Sequence, residues 1–78
     1  MTALPALRVR VAVKGLKKFG FEKVRQKGSH AIFHHSDCRR AVLPVHPNEE
    51  LSPYFLSDVL KQLVIPEEEF LKAIGRKH

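Results

Sequence analysis

Between positions 30 and 46 the chain carries four histidines, His30, His34, His35 and His46, and around them stand Lys23, Arg25, Lys27, Arg39 and Arg40. Histidine is the side chain whose ordinary titration lies nearest neutral pH, so it suits proton transfer. Cations beside it would stabilise negative charge growing on a phosphoryl group. The same imidazoles could in principle ligate a metal ion. The sequence, however, has no HExxH pair, no second cysteine beside Cys38 and no carboxylate placed as a third ligand. Neither metal nor cofactor is expected. Ser29 has no Asp-backed base to activate it and reads as a hydrogen-bonding turn residue. A lone exposed histidine is ordinarily inert, so what matters is which of these residues the fold gathers on one surface.

The elements that must position them are short. Residues 8–19 fit two patterns. Leu7, Val9, Val11 and Val13 alternate as in a strand, while Val9, Ala12, Val13, Leu16 and Phe19 fall on one face of a helix. The helix is favoured, with Lys14, Lys17 and Lys18 on its other face, Gly15 as a weak point and Gly20 as its terminator. Residues 21–26 read as a strand, Lys27-Gly28 as a tight turn, 29–35 as a second strand, 36–39 as a polar turn and 40–46 as a third strand. Pro44 places that third strand at an edge or bulge, because proline cannot donate to a ladder. After a loop over 47–50, Ser52 caps a helix with Pro53 at its first position, burying Leu56, Val59, Leu60 and Leu63. Pro66 opens a short last helix, with Glu67, Glu68 and Glu69 in its first turn and Gly75 at its end. Helix, three antiparallel strands, helix and short helix make a two-layer α+β domain with one sheet face open, a single domain over 1–78 with its core at about 8–74.

Strand side chains alternate between faces. Setting Val24, Ala31, Phe33, Ala41, Leu43 and Val45 against the helices leaves Lys23, Arg25, His30, His34, Arg40 and His46 together on the open face. A slip of one residue in any strand would flip its contribution.

The chain has 78 residues and a formal net charge of +6. A domain of this size buries only about 60% of its unfolded surface and has little room for an enclosed cavity, so an open site suited to a polymer is expected. Residues 1–48 hold ten basic residues against two acids, and residues 49–78 hold four against six. The basic half is either a nucleic-acid surface or a solvated face, and charge by itself leaves the two open. With one cysteine, no apolar run near the roughly 18 residues of a membrane span, and no apolar leader at the start, a cytoplasmic protein is expected.

Gly20-Phe21, the run Arg25-Gln26-Lys27-Gly28-Ser29-His30, the run Val42-Leu43-Pro44-Val45-His46, and Leu56 with Val59-Leu60-Lys61-Gln62 stand in an order and spacing that resembles the HicA, or YcfA-like, family of mRNA-interferase toxins. The resemblance covers roughly residues 9–74. It implies a fold like that of a double-stranded-RNA-binding domain, which assigns the first segment to a helix. It further implies metal-independent RNA cleavage by the histidine of a Gly-Ser-His motif, here His30, and a HicB-type antitoxin that covers the active surface. Three positions depart from the family's usual pattern. Tyr54-Phe55 replaces a Gly-Thr pair, Leu63-Val64 replaces Ala-Gly, and Cys38 stands for a turn glycine.

For such a reaction His30 is the candidate base, removing the proton of the RNA 2′-hydroxyl. Arg25 and Lys27 are the candidates for stabilising phosphoryl charge, with Lys23 and Arg40 further out, and the Gly28-Ser29 backbone allows a phosphate close approach. His46 is either a second acid–base group or RNA contact, or a cap on the third strand. Two other classes remain: an RNA-binding module that does not cut, and a partner-binding protein whose basic face serves an acidic surface. Glu49 and Glu50, with no Lys or Arg before Lys61, argue against duplex-only binding. The toxin alone is expected to be a monomer.

Overall fold

The structure, a computed structural model, describes residues 4–46 and 48–75, so Pro47 of the expected loop lies outside the described residues. Both patterns seen near the N-terminus are used in turn. Leu7–Arg8 forms a two-residue strand, β1, and Val9–Lys18 forms helix α1. Val9, Ala12 and Leu16 are buried, and Val13 and Phe19 pack against the core more loosely. The helix ends as its sequence requires. Gly20, at φ +91°, donates its N–H to the Lys17 carbonyl at 3.0 Å, and Phe21 donates to Leu16 at 3.1 Å, closing a Schellman motif.

Three strands follow, β2 (Glu22–Lys27), β3 (His30–His34) and β4 (Arg40–Pro44), antiparallel in the order β2-β3-β4. The connection between β2 and β3 is Gly28-Ser29, one residue later than the sequence suggests, so Lys27 closes the strand instead of opening the turn. Gly28 has φ +60°, the left-handed geometry that a two-residue type II′ hairpin demands at its first central position. A second ribbon pairs β1 with β5 (Glu50–Leu51), and the Val9 N–H donates to the Glu49 carbonyl at 2.8 Å. Two-residue strands are too short to leave a periodic trace, and sequence reasoning did not find them.

Helix α2 (Pro53–Leu63) starts as expected, with the Ser52 hydroxyl accepting the Phe55 N–H at 3.1 Å. Leu56, Val59, Leu60 and Leu63 are buried. Helix α3 (Glu67–Ala73) has its three glutamates in the first turn and buries Phe70 and Leu71. The buried Ser57 hydroxyl on α2 donates to the Glu67 carboxylate at 3.0 Å, joining the two helices. The helices cover the sheet face that carries Ala31, Phe33, Ala41 and Leu43, all of them buried. The result is the helix-strand-strand-strand-helix arrangement of a double-stranded-RNA-binding domain, with a short added helix.

One strand departs from simple alternation. Lys23 pairs with Phe33 while Arg25 pairs with Ile32, so Val24 is an extra residue in a β-bulge. Phe21 is fully buried just before the strand. Strict alternation from Phe21 would carry residues 23, 25 and 27 inward as well. The inserted residue changes the parity, so that Arg25 and Lys27 face outward. Two expectations are corrected as a result. Val24 is 60% exposed and not in the core, and Lys23 lies on the helix side of the sheet, not on the open face.

Two substitutions test this packing with opposite signs. A Cβ on Gly15 would lie 2.6 Å from Cε1 of Phe70 and 2.7 Å from Cγ2 of Ile74. Gly15→Ala should therefore destabilise by about 1–3 kcal/mol despite alanine's better helix propensity. Val64, the residue after α2, holds φ +57° and is 78% exposed, so its side chain gains little from the left-handed backbone it occupies. Val64→Gly should stabilise by about 0.5–1 kcal/mol. Urea unfolding midpoints read both, and a gain for Gly15→Ala would mean that α1 and α3 do not press together at this point.

Candidate active site on the open sheet face

The open face is built as three rungs across the sheet. Lys27, His30 and Pro44 form the first, Arg25, Ile32 and Val42 the second, and Glu22, His34 and Arg40 the third. Backbone bonds from Val45 N–H to the Ser29 carbonyl (3.0 Å) and from His35 N–H to the Arg39 carbonyl (2.8 Å) fix which β3–β4 pairs carry the ladder. His30–Pro44, Ile32–Val42 and His34–Arg40 are then the non-hydrogen-bonded pairs, whose Cα atoms approach to about 4.5 Å and whose side chains stand closest. Pro44 thus occupies a position where its missing N–H costs no ladder bond. The expectation that it marks an edge strand holds, since β4 is one.

The first and third rungs surround their histidines differently. His34 lies between a carboxylate and a guanidinium. His30 lies between an ammonium and a proline ring and is exposed, and its imidazole makes no hydrogen bond or ion pair among the described residues. Both its ring nitrogens are open to an incoming group. Arg25, one rung away, and Lys27 in the same rung are likewise exposed and without an ion pair among the described residues. Arg40 is four residues along the sheet from Pro44, roughly 13 Å at 3.3 Å per residue, and so stands well apart from His30. His46 is exposed and stands two residues past the end of β4, not within it, with its carbonyl accepting the Glu49 N–H at 3.1 Å. The ladder bond at Val45 keeps this segment at the same end of the sheet as the Gly28-Ser29 turn. A Cβ on Gly28 would meet no atom within 4 Å, so space beside the turn is free.

The turn from β3 to β4 holds a cluster that the sequence did not flag. Desolvation raises the proton affinity of the Asp37 carboxyl. The backbone N–H of Arg39, its guanidinium at 2.8 Å and its charge, together with His35, outweigh this and hold the carboxyl below its ordinary range. Nδ1 of His35 is 3.1 Å from the Asp37 N–H and 3.0 Å from its carboxylate. Neutral, it accepts the N–H. Protonated, it donates to the carboxylate. Arg39 also lies 5.3 Å above the Phe21 ring and donates to the Leu63 carbonyl at the end of α2. Helix ends leave such carbonyls without partners, and a cation there is favoured. Cys38, at φ +79°, and Val64 are the two non-glycine residues with left-handed backbone among those described. Both are positions where the sequence departs from a glycine expected by resemblance. The available signal was the Asp37-x-Arg39 spacing within a predicted turn. Among the described residues no group of three His, Cys, Asp or Glu is disposed to hold a metal ion.

Covered on one face and open on the other, with imidazoles set among cations on the open side, this is a small two-layer α+β protein of the double-stranded-RNA-binding-domain arrangement. The chain belongs to the HicA toxin family of bacterial toxin–antitoxin systems, whose sequence model matches residues 9–65, from the start of α1 to just beyond α2. It is therefore a toxin-family protein. No curated protein sequence matches the chain significantly. No helix among the described residues is long and apolar enough to cross a membrane.

Because the Asp37 carboxyl is held low in the folded protein, its contribution to stability is complete above the ordinary carboxylate range and is lost as pH falls through that range toward the lowered value. The stability gap between wild type and Asp37→Asn should thus narrow as pH falls below about 4. Urea titrations at several pH values measure it, and a gap that widens in acid would contradict the assignment.

Proposed function

We propose that the protein is a metal-independent endoribonuclease acting on single-stranded RNA, the toxin of a pair whose antitoxin is of the HicB type, with His30 as its general base. The observation that carries this reading is the first rung, where an exposed and unpartnered imidazole sits beside Lys27 on an open face. RNA brings its own nucleophile. One nitrogen of His30 takes the proton of a 2′-hydroxyl, and the oxygen attacks the adjacent phosphorus. The bond from phosphorus to the 5′-oxygen breaks, and that oxygen leaves with a proton from water. The products are a 2′,3′-cyclic phosphate and a 5′-hydroxyl. Lys27 and Arg25 stabilise the charge growing on the non-bridging oxygens. Gly28 and Ser29 let the phosphate approach the turn, His46 contacts RNA at the same end of the sheet, and Arg40 and Lys23 bind phosphates further along the strand.

An open face suits a flexible polymer that can settle on it without entering a cavity. The antitoxin covers the same face, and its matching surface is acidic. The toxin alone is a monomer that acts in the cytoplasm. Glu49 and Glu50 ahead of α2 disfavour a duplex laid across both helix ends.

Cleavage of a synthetic single-stranded RNA in EDTA, with a matched DNA strand as control, tests the assignment. Wild type should cut RNA alone and leave a cyclic phosphate, and folded His30→Ala should be slower by about 10²–10⁴-fold. If the variant cuts as fast as wild type, His30 is not the base. If wild type binds RNA and leaves it intact, the protein is a binding module.

A further inference from the structure

We propose that α1 and the helix-facing side of β2 form a second phosphate-binding track, which holds the backbone of single-stranded RNA flanking the cleaved bond. The choice of RNA as ligand rests on the ribonuclease reading above. Arg10, Lys14 and Lys17 recur at i, i+4 and i+7 and lie on one stripe of α1, about 10 Å long at 1.5 Å rise per residue. All three are exposed, and none of their side chains makes a hydrogen bond or ion pair among the described residues. Lys23 completes the track. The bulge at Val24 sends it to this side, where it lines one shallow hollow with Arg10 and a second with Lys17. Arg10, Lys17 and Lys23 therefore border two hollows that form a trough along the edge of the sheet, and Lys14 stands between Arg10 and Lys17 on the same stripe of the helix. The carboxylate that lines the second hollow, Glu22, belongs to the third rung, at the far end from His30. Arg25 and Lys27 continue the positive charge over the same edge strand onto the open face, so a strand held in the trough can reach the first rung by passing over β2.

The ordinary uses of these cations do not account for them. Lysines in the last turn of a helix complement its dipole, which covers Lys17 and Lys18. Arg10 is the second residue of α1, at the positive end, and the first turn contains no acid to offset it. A lysine on an edge strand discourages strand addition, but Lys14 is on no strand. A protein partner would need an apolar centre to its contact. Among the described residues the exposed large hydrophobics, Val24, Val42, Tyr54, Phe55 and Val64, all lie off α1. A polyanion needs only the charges.

The test uses fluorescent 2′-O-methyl RNA, which cannot be cut because its nucleophile is capped. Affinity is measured against salt for oligomers of about 5 and about 20 nucleotides, in wild type, Lys14→Gln/Lys17→Gln and Arg10→Gln/Lys14→Gln/Lys17→Gln. At about 0.7 per phosphate contact on single strands, the slope of log K against log salt for the long oligomer should shrink by about 1.4 in the double variant and about 2 in the triple variant. The short oligomer should lose much less affinity. An unchanged slope, or equal losses for both lengths, would overturn the track. So would a folded triple variant that binds RNA normally but loses the antitoxin. Because the probe is inert, the outcome does not depend on His30. If wild type fails to cleave ordinary RNA while the slopes change as stated, the catalytic reading falls and the track stands.

Discussion

The five residues of β3 meet two environments at once. Ala31 and Phe33 are sealed beneath the helices, and His30, Ile32 and His34 face outward between the rungs of their neighbours. A slip of one residue would exchange the two sets, burying imidazoles and exposing a phenyl ring. The register is pinned at both ends. The Gly28-Ser29 turn fixes it on one side, and on the other the Asp37–Arg39 contacts fix the turn into β4. Burial of the Phe33–Ala41 and Ala31–Leu43 pairs on the inner face therefore determines what the outer face can present.

The same constraint explains the bulge. Phe21 must enter the core because the Schellman turn after α1 delivers it there, and Arg25 and Lys27 must leave the core because no buried partner exists for them. An extra residue between them reconciles the two demands. Its by-product is a basic residue on each side of one edge strand, Lys23 toward α1 and Arg25 toward the open face.

Much of this was legible in the sequence. Apolar spacing defined α1, α2 and α3, Ser52 and Gly20 marked the helix ends where they were found, and alternation in β3 and β4 assigned both faces correctly. The open-face grouping of His30, His34 and Arg40 followed from those periods, whereas the correct outward placement of Arg25 rested on the mistaken reading of Val24 as a core residue. The bulge did not follow, because Glu22–Lys27 contains a single apolar residue, Val24, and a lone valine reads as a core position when it can also be an insertion. The placement of Lys23 failed with it. His46 was expected inside a strand that ends at Pro44. The part played by Arg39 was invisible because its partners, Phe21 and the Leu63 carbonyl, are distant in sequence and meet only in the fold. The left-handed residues Cys38 and Val64 were hinted at only through the glycines that usually occupy such positions.

The parity of the β3–β4 ladder has a consequence for the borders of this sheet. Residues of β4 that do not bond to β3 turn their backbone groups toward solvent, and Pro44 is one of them. The outer edge of β4 thus lacks a donor at its last position, and the outer edge of β2 is kinked by Val24 and guarded by charge. A foreign strand seeking to extend the sheet finds a gap at one border and a bend at the other. Irregularities at both borders discourage edge-to-edge strand addition while leaving the broad face of the sheet open.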